Sequence, residues 1–398
     1  MARFLFVVPP FAGHVNPTIP VAAELTRRGH EVAWAGLPGQ LRAMLPEWGR
    51  FIPAGSEEWA AVVAERNVLR SDLRGAAAYK FLMEEALIPM CLVMLEGVDQ
   101  AVTDFAPDVL VSDQQTWAGA VVARRRGLVW ATSATTSAEM VDPLAGLPKV
   151  AETFHRTRVE LQVDHGVAPE VAEAGDLRLS EHLVLAYTSS ALVGDGLESV
   201  SGSVPVAYVG PSGLDRDEVD DFDWSLVDPE KPLVLVSLGT LSAESGTRFW
   251  QVAAEAFADQ PWQGIFVAPP ALVPDAPANV VVRERVPQLA VLRRAAAVVS
   301  HGGHNTVCES LSNGLPLVVA PIRDDQPVIA DQVVRAGAGV RVKFARVRAE
   351  ALRAAVDQAL HDESLRAGSQ SMAADLASCG GKAAAADALL GLAARVPA

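Results

Sequence analysis

The chain has 398 residues, a formal net charge of −15 and a composition that is 50% hydrophobic. This length suffices for two or three domains with large cores. The acidic balance disfavours partners bound through negative charge, so we expect neither nucleic acid nor an anionic membrane surface as a partner. Three cysteines, Cys91, Cys308 and Cys379, show no metal-ligand spacing, which is typical of free thiols in a reducing cytoplasm.

The first predicted element is a buried strand at residues 4–10, FLFVVPP. No basic segment precedes this apolar run and two prolines end it, which disfavours a secretory signal. No unbroken apolar run in the chain is long enough to span a bilayer. We therefore expect a cytoplasmic protein without a membrane segment.

Short apolar runs and helical stretches alternate through the first half of the chain. A helix at 17–28, closed by Gly29, and a helix at 118–127 are interleaved with predicted strands at 30–36, 108–113 and 128–133. This alternation predicts β-α-β units and a parallel sheet. Helices on both faces of the sheet explain why the strands are apolar throughout.

Residues 213–231 interrupt this alternation with prolines and a dense acidic run, which is typical of a linker. The alternation then restarts, with predicted strands at 232–240, 264–269, 279–286, 295–301 and 316–321. We predict an α/β protein with two doubly wound domains, residues 1–212 and 232–377, followed by a C-terminal helix within 378–398.

Polar clusters follow several of the predicted strands. They are Gly13-His14, Asp113, Gly239-Thr240 and residues 301–309. Ligands of open parallel sheets bind beyond the carboxyl ends of the strands. We therefore expect the four clusters to converge on one cleft between the two domains.

Residues 301–309, HGGHNTVCE, form a predicted turn between a strand and a helix that ends at Asn313-Gly314. The glycines permit a sharp backbone path, and the start of a helix attracts anions such as phosphate. Asn305, Thr306 and a charge-assisted hydrogen bond from His301 add donors. Glu309, about one turn further along, suits the vicinal hydroxyls of a ribose. Together these residues indicate a nucleoside diphosphate lying across the helix start.

This region also carries a resemblance to a known family. Residues 286–292 (VPQLAVL) and 301–326 (HGGHNTVCESLSNGLPLVVAPIRDDQ) resemble the nucleotide-sugar signature of the UDP-glycosyltransferases of GT-B fold, and the N-terminal FAGHVNP is similar to the motif of their catalytic histidine. The family includes plant secondary-metabolite and bacterial macrolide-type enzymes. The resemblance implies two Rossmann-like domains facing a cleft, with acceptor bound by residues 1–212 and donor by residues 232–377. It also implies a last helix that packs back on the N-terminal domain.

The resemblance assigns donor-binding roles by position. The uracil would be held at Arg285, Val286 and Gln288, the diphosphate by Gly239, Thr240, His301, Gly302, Gly303, Asn305 and Thr306, the ribose by Glu309, and the transferred sugar by Asp325 and Gln326.

His14 is the expected catalytic base, because an imidazole titrates near neutrality. Asp113 would orient it and stabilise the imidazolium. The expected reaction is a displacement with inversion that needs neither a metal nor a cofactor beyond the nucleotide sugar. Two D-x-D patterns at 215–217 and 221–223 fall in the acidic run, and we interpret them as solvated linker rather than a metal site.

The acceptor region is expected in residues 55–100 and in an irregular segment at 133–165. The side chains considered for its lining are Trp59, Phe81, Met83, Met140 and Phe154, although apolar residues at helical spacing are more often core. Their character suggests a hydrophobic, hydroxylated natural product. The expected partners are thus this small molecule and a nucleotide sugar, and a homodimer is the assembly considered.

The main hypothesis is an inverting, metal-independent hexosyltransferase that makes a β-glycoside from UDP-glucose. Two alternatives bind the same donor: a UDP-sugar 2-epimerase of the same fold and a non-catalytic nucleotide-sugar-binding partner protein. A thymidine-linked deoxysugar (a dTDP-sugar) is the alternative donor.

Overall fold

The computed structural model describes residues 1–59, 62, 79–141, 146–194, 204–216, 218–239 and 246–395. These residues form two compact units. Unit 1 comprises the described residues within 1–189, 195–213 and 379–398, and unit 2 those within 190–194 and 214–378.

The strands and helices follow one another in the alternation that the sequence predicts. The strands are β1 (Arg3–Val7), β2 (Glu31–Gly36), β3 (Arg50–Pro53), β4 (Val109–Asp113), β5 (Trp130–Ala134), β6 (Val184–Ala186), β7 (Val206–Tyr208), β8 (Leu233–Ser237), β9 (Gln263–Val267), β10 (Val280–Arg283), β11 (Ala297–Ser300), β12 (Leu317–Val319) and β13 (Gly339–Arg341). The helices are α1 (Ala12–Val15), α2 (Thr18–Arg27), α3 (Gln40–Met44), α4 (Ile88–Phe105, entered through a π-helical segment at Leu82–Leu87), α5 (Trp117–Arg126), α6 (Pro148–Asp164), α7 (Pro169–Ala174), α8 (Ser190–Val193), α9 (Thr247–Phe257), α10 (Gln288–Leu292), α11 (His304–Ser312), α12 (Gln326–Arg335), α13 (Ala349–His361), α14 (Glu363–Ser378) and α15 (Gly381–Ala393).

Among the described residues, unit 1 has a parallel sheet of seven strands in the order β3-β2-β1-β4-β5-β6-β7. Successive residues of β1 point to opposite faces, as in any strand. Leu5 and Val7 pack with the core that contains α4 and α5, whereas Phe4 and Phe6 pack with the core that contains α2 and α15. Helices therefore cover both faces of the sheet, which confirms the predicted α/β class.

Unit 2 repeats the plan. Its described strands form a parallel sheet in the order β10-β9-β8-β11-β12-β13. Val234 and Val236 of β8 pack with α9 and α13, and Leu233 and Leu235 pack with α11 and α14. This double covering again explains the unbroken apolar strand.

Helix α15 belongs to unit 1 although it ends the described chain. Its Leu389 is fully buried in the core shared with α2. On the rim of this contact, Arg28, the C-cap residue of α2, donates to Asp387 of α15 and, at 2.6 Å, to Glu24 Oε1. The last helix is thus held by apolar packing and by a hydrogen-bonded ion pair.

Two segments differ from the predicted organisation. The acidic run of 213–231 is more than a linker, because it packs on unit 2 although most of its described residues are exposed. Phe222 is buried in that core, and Arg294 stacks on Trp224 with its guanidinium carbon 3.7 Å from the ring centre. Residues 190–194, expected in the first domain, also lie in unit 2 because Leu192 enters the same core. Aromatic and aliphatic residues between polar ones supply the apolar contacts that composition alone obscured.

The segment at 133–165, expected to be irregular, contains the long helix α6. No helix within the described ranges is both long and apolar enough to cross a membrane.

Candidate active site

The polar cluster of unit 1 forms where three neighbouring strands end. Because β4 lies between β1 and β5, the residues that follow these strands come together at one edge of the sheet. His14 lies on the one-turn helix α1 after β1, Asp113 ends β4, and Thr135 follows β5 directly. The sheet order thus brings His14 to residues that lie 99 and 121 positions later in the chain.

The side chains of His14 and Asp113 are in direct contact. His14 Nδ1 lies 2.9 Å from Asp113 Oδ2, and the carboxylate is fully buried while 16% of the imidazole side chain is exposed. The backbone N–H of Gln115 donates to the other oxygen, Asp113 Oδ1, at 2.8 Å. A carboxylate fixed in this way holds the Nδ1 proton, so Nε2 is the nitrogen suited to accept a proton from a ligand.

Thr135 completes this cluster and was missed by sequence reasoning. Its Oγ1 lies 2.9 Å from His14 Nδ1 and donates to Asp113 Oδ2 at 3.3 Å. The hydroxyl therefore fixes both members of the pair. The signal was available, since Thr135 comes two residues after the predicted strand at 128–133, which follows the predicted strand that ends in Asp113.

The polar cluster of unit 2 forms in the same way, at the ends of β8, β11 and β12. Gly239 follows β8 with φ +72°, and His301 follows β11. A Cβ at Gly239 would lie 2.6 Å from His301 Cε1, and a Cβ at Gly303 would lie 2.7 Å from the same atom. Both positions must be glycine for the backbone to enclose the imidazole this closely.

His301 is buried, and this environment disfavours its charged form, whereas the sequence predicts a charge-assisted donor at this position. Burial lowers the pKa of His301 to about 4; the backbone of Ser237 opposes this and the guanidinium of Arg323 adds to it. Its Nδ1 has no hydrogen-bond partner among the described residues. A buried ring nitrogen in this state is ready for a ligand atom.

Helix α11 begins beside His301, as the sequence predicts, and ends before Gly314, which has φ +68°. Its N-cap is Gly303, so no side chain caps the first turn. Asn305 and Thr306 are partly exposed there, whereas His304 is buried with its Nε2 3.4 Å from Cys308 Sγ. The first turn thus keeps the features of an anion site, and only one of the two histidines belongs to it.

Glu309, expected to hold a ribose, already has two protein partners. Arg216 Nη1 donates to Oε1 at 2.5 Å, and Gln288 Nε2 donates to Oε2 at 2.6 Å. Arg216 lies in the acidic run and was not predicted as a site residue. Gln288, expected at the uracil, is instead turned to the carboxylate.

The remaining donor positions have varied surroundings. Gln326 is buried, and its Oε1 accepts the backbone N–H groups of Ile322 and Arg323 at 2.9 and 3.0 Å, so it shapes the loop after β12. Asp325 is the N-cap residue of α12. Arg285 is exposed, Val286 is half-buried, and Gly302 has φ +93°, while Thr240 lies outside the described residues.

The five side chains considered for the acceptor divide by burial. Met83, Met140 and Phe154 are buried, and Met83 and Phe154 belong to the core of unit 1. Trp59 and Phe81 are half-buried. The acceptor-lining role of all five side chains stays a prediction.

Comparisons with known proteins show that the chain is similar to several glycosyltransferases. Residues 269–390 match the family model of the erythromycin biosynthesis protein CIII-like C-terminal domain. The chain is 26% identical to the NDP-glycosyltransferase YjiC of Bacillus subtilis (strain 168), over 94% of this chain and 92% of that protein. It is 29% identical to demethyllactenocin mycarosyltransferase of Streptomyces fradiae, over 98% and 87%. The crystal structure of the calicheamicin glycosyltransferase CalG4 matches all of both chains, with a TM-score of 0.79 and 24% identity.

Fold, site and relatives together define a glycosyltransferase of GT-B fold. The family model covers residues 269–390 alone, and the two relatives that match over most of the chain are named as glycosyltransferases. The epimerase and the non-catalytic partner are left without support.

Proposed function

We propose that this chain is an inverting, metal-independent transferase that moves a hexose from a nucleoside diphosphate to a hydroxyl of a hydrophobic natural product. The observation that carries the proposal is the contact between His14 and the buried Asp113 at 2.9 Å. A base oriented by a buried acid is what activation of a hydroxyl requires. The relative named for transfer of mycarose to demethyllactenocin supports an acceptor of the same broad kind.

In the proposed reaction, Nε2 of His14 takes the proton of the acceptor hydroxyl as its oxygen bonds to the anomeric carbon. The bond from that carbon to the diphosphate breaks, and the nucleoside diphosphate leaves with the electron pair. The α-linked donor thereby gives a β-glycoside. Asp113 stabilises the imidazolium, and the start of α11 with His301 receives the developing negative charge.

The surroundings of Glu309 and Gln326 bear on which nucleotide carries the sugar. The sequence favoured UDP-glucose because Glu309 suits a ribose diol and Asp325-Gln326 suits a hexose. In the structure Glu309 already binds Arg216 and Gln288, and Gln326 Oε1 binds backbone, so this basis is weakened. We therefore retain both UDP-glucose and a dTDP-linked deoxysugar as donors to be tested.

Mass spectrometry of products from a donor-by-acceptor panel tests the proposal. UDP-glucose and dTDP-linked sugars are each combined with macrolide, polyketide and phenolic acceptors, with and without EDTA. We expect a monoglycoside whose anomeric coupling in NMR is that of the β form, formed equally well in EDTA. An α-glycoside formed from an α-linked donor would refute inversion, and loss of product in EDTA would refute the metal-free mechanism.

A further inference from the structure

The carboxylate of Glu309 is the centre of a buried ionic network in unit 2. Glu309 is 7% exposed and projects from α11, one turn beyond the helix start. Arg216 Nη1 is 2.5 Å from Oε1, and Nη2 is 3.4 Å from Oε2, where Gln288 Nε2 also donates at 2.6 Å. Each carboxylate oxygen therefore has at least one protein donor before any ligand arrives.

Arg216 is itself held in place from a second side. Its Nη2 lies 3.7 Å from Glu218 Oε1, and Glu218 Oε2 accepts the backbone N–H of Leu289, in the first turn of α10. Burial alone would lower the pKa of Arg216, but the hydrogen bond and charge of Glu309, with Glu218, raise it overall. The guanidinium therefore stays charged and is fixed between two carboxylates.

This arrangement bears on which nucleoside fits against Glu309. A ribose presents two adjacent hydroxyls, and a carboxylate binds such a diol by accepting one hydrogen bond at each oxygen. The guanidinium of Arg216 already donates to both oxygens and Gln288 adds a second donor at Oε2, so these protein hydrogen bonds occupy three of the roughly four lone-pair sites of the carboxylate. A 2′-hydroxyl therefore cannot displace Arg216 without a net loss.

A 2′-deoxyribose avoids this competition. It presents only the 3′-hydroxyl, which needs one further acceptor site, and Oε1 retains a lone pair beside Arg216 Nη1. We propose that Arg216 takes the place of the 2′-hydroxyl at Glu309 and makes this site selective for 2′-deoxyribonucleoside diphosphates. The proposal rests on the proposed function, which places the nucleoside of the donor against Glu309.

Four nucleotides separate sugar preference from base preference: UDP, dUDP, 5-methyl-UDP and dTDP. Calorimetric titration of each into the full chain gives its dissociation constant. For each of the two bases, the ratio of the constants of the ribose and deoxyribose forms then measures the sugar preference. We expect the deoxy form to bind roughly tenfold more tightly with both bases, the loss expected for a buried polar group left poorly paired. Equal binding of ribose and deoxyribose forms by the unaltered chain would overturn the proposal without any variant.

Substitutions then assign the preference to Arg216. Arg216→Met should bring both ratios of dissociation constants to within about twofold of one. Arg216→Lys, which retains a charge without the planar guanidinium, should give intermediate ratios. The matched control is Arg341→Met, which removes a surface ion pair with Asp331 and should leave the ratios unchanged. A deoxyribose preference that persists in Arg216→Met, with the fold verified by thermal unfolding, would refute the role of Arg216.

The outcomes also distinguish this inference from the proposed function. If no nucleoside diphosphate binds to the chain, the proposed function fails, and the inference fails with it. If all four bind with similar affinity and sugar transfer occurs, only the inference is refuted. With dTDP- and UDP-sugars of the same hexose as donors, the preference should appear in the donor KM and leave kcat nearly equal.

Discussion

Replacement of Asp113 by asparagine is the sharpest test of the proposed catalytic pair. The amide has the shape of the carboxylate, and its oxygen can still accept the N–H of Gln115, so we expect the fold to survive. What disappears is the negative charge beside His14, with which the buried carboxylate makes a 2.9 Å contact. The variant therefore removes the stabilisation of the imidazolium without removing the base.

The size of the effect follows from the geometry. Opposite charges at about 4 Å attract by roughly 4 kcal/mol at an effective dielectric of about 20, and each ~1.4 kcal/mol changes a rate about tenfold. Because Asp113 is buried and His14 is mostly shielded, little of this is lost to solvent. We expect kcat to fall by roughly a thousandfold in Asp113→Asn.

Initial rates of glycoside formation at saturating donor and acceptor measure this change, and calorimetric titration of the nucleoside diphosphate checks that donor binding is retained. Asp104→Asn is the matched control, since Asp104 is an exposed acceptor for Gln100 on α4 and should leave kcat unchanged. A kcat within threefold of the unaltered chain, in an Asp113→Asn variant of normal thermal stability, would show that the pair does not act as proposed.

Three further changes have expected outcomes. Thr135→Val should lower kcat about fivefold, since one hydrogen bond to the pair contributes roughly 1 kcal/mol, with donor KM unaffected in steady-state kinetics. His301→Gln should flatten the pH dependence of stability. In the unaltered chain, the unfolded state takes up the His301 proton below pH 6.5 and the folded state only near pH 4, so the free energy of unfolding falls by roughly 3 kcal/mol as pH drops through this window. Urea unfolding of both chains measures the difference. An equally steep profile in the variant would contradict the burial argument. Leu389→Ala should destabilise unit 1 by about 3 kcal/mol in thermal or urea unfolding, and the half-buried Leu390→Ala should cost clearly less; equal losses would mean that α15 is not packed as described.

Much of the fold could be predicted because its signals are local. The strands are short apolar runs bounded by glycine, proline or charge, and β1 and β8 are each buried on both faces. The turn from β11 into α11 could also be predicted, because Gly302 has φ +93°, which few other residues adopt, and a Cβ at Gly303 would lie 2.7 Å from His301 Cε1. Local chemistry was sufficient in these places.

The contact of His14 with Asp113 could also be anticipated, but for a topological reason. Each residue follows a strand, and the order of a doubly wound sheet places those strands side by side. Thr135 follows the next strand of the same sheet and could have been found by the same rule. A hydroxyl is less conspicuous than a histidine or an acid, and only its distances reveal its part in the pair.

Arg216 could not be predicted, since its surroundings in the sequence suggest the opposite role. It stands in a run of acidic residues, and such runs are usually solvated. The structure shows that Phe222 and Trp224 anchor this run to unit 2, which brings Arg216 to Glu309, 93 positions later in the chain. Average composition describes a segment poorly when two aromatic residues decide where it packs.

The two histidines of the proposed mechanism have opposite environments, and these environments suit opposite tasks. His14 faces a buried carboxylate and is partly exposed, so the protonated ring that forms when it accepts a proton is stabilised. His301 is enclosed by Gly239 and Gly303, and burial with a nearby guanidinium keeps it neutral. A neutral buried imidazole is a poor competitor for the acceptor's proton but can donate a hydrogen bond to an anion as soon as one arrives. Because His14 is paired with a carboxylate and His301 is buried, one chain can keep a proton-accepting histidine and an anion-binding histidine at the same pH.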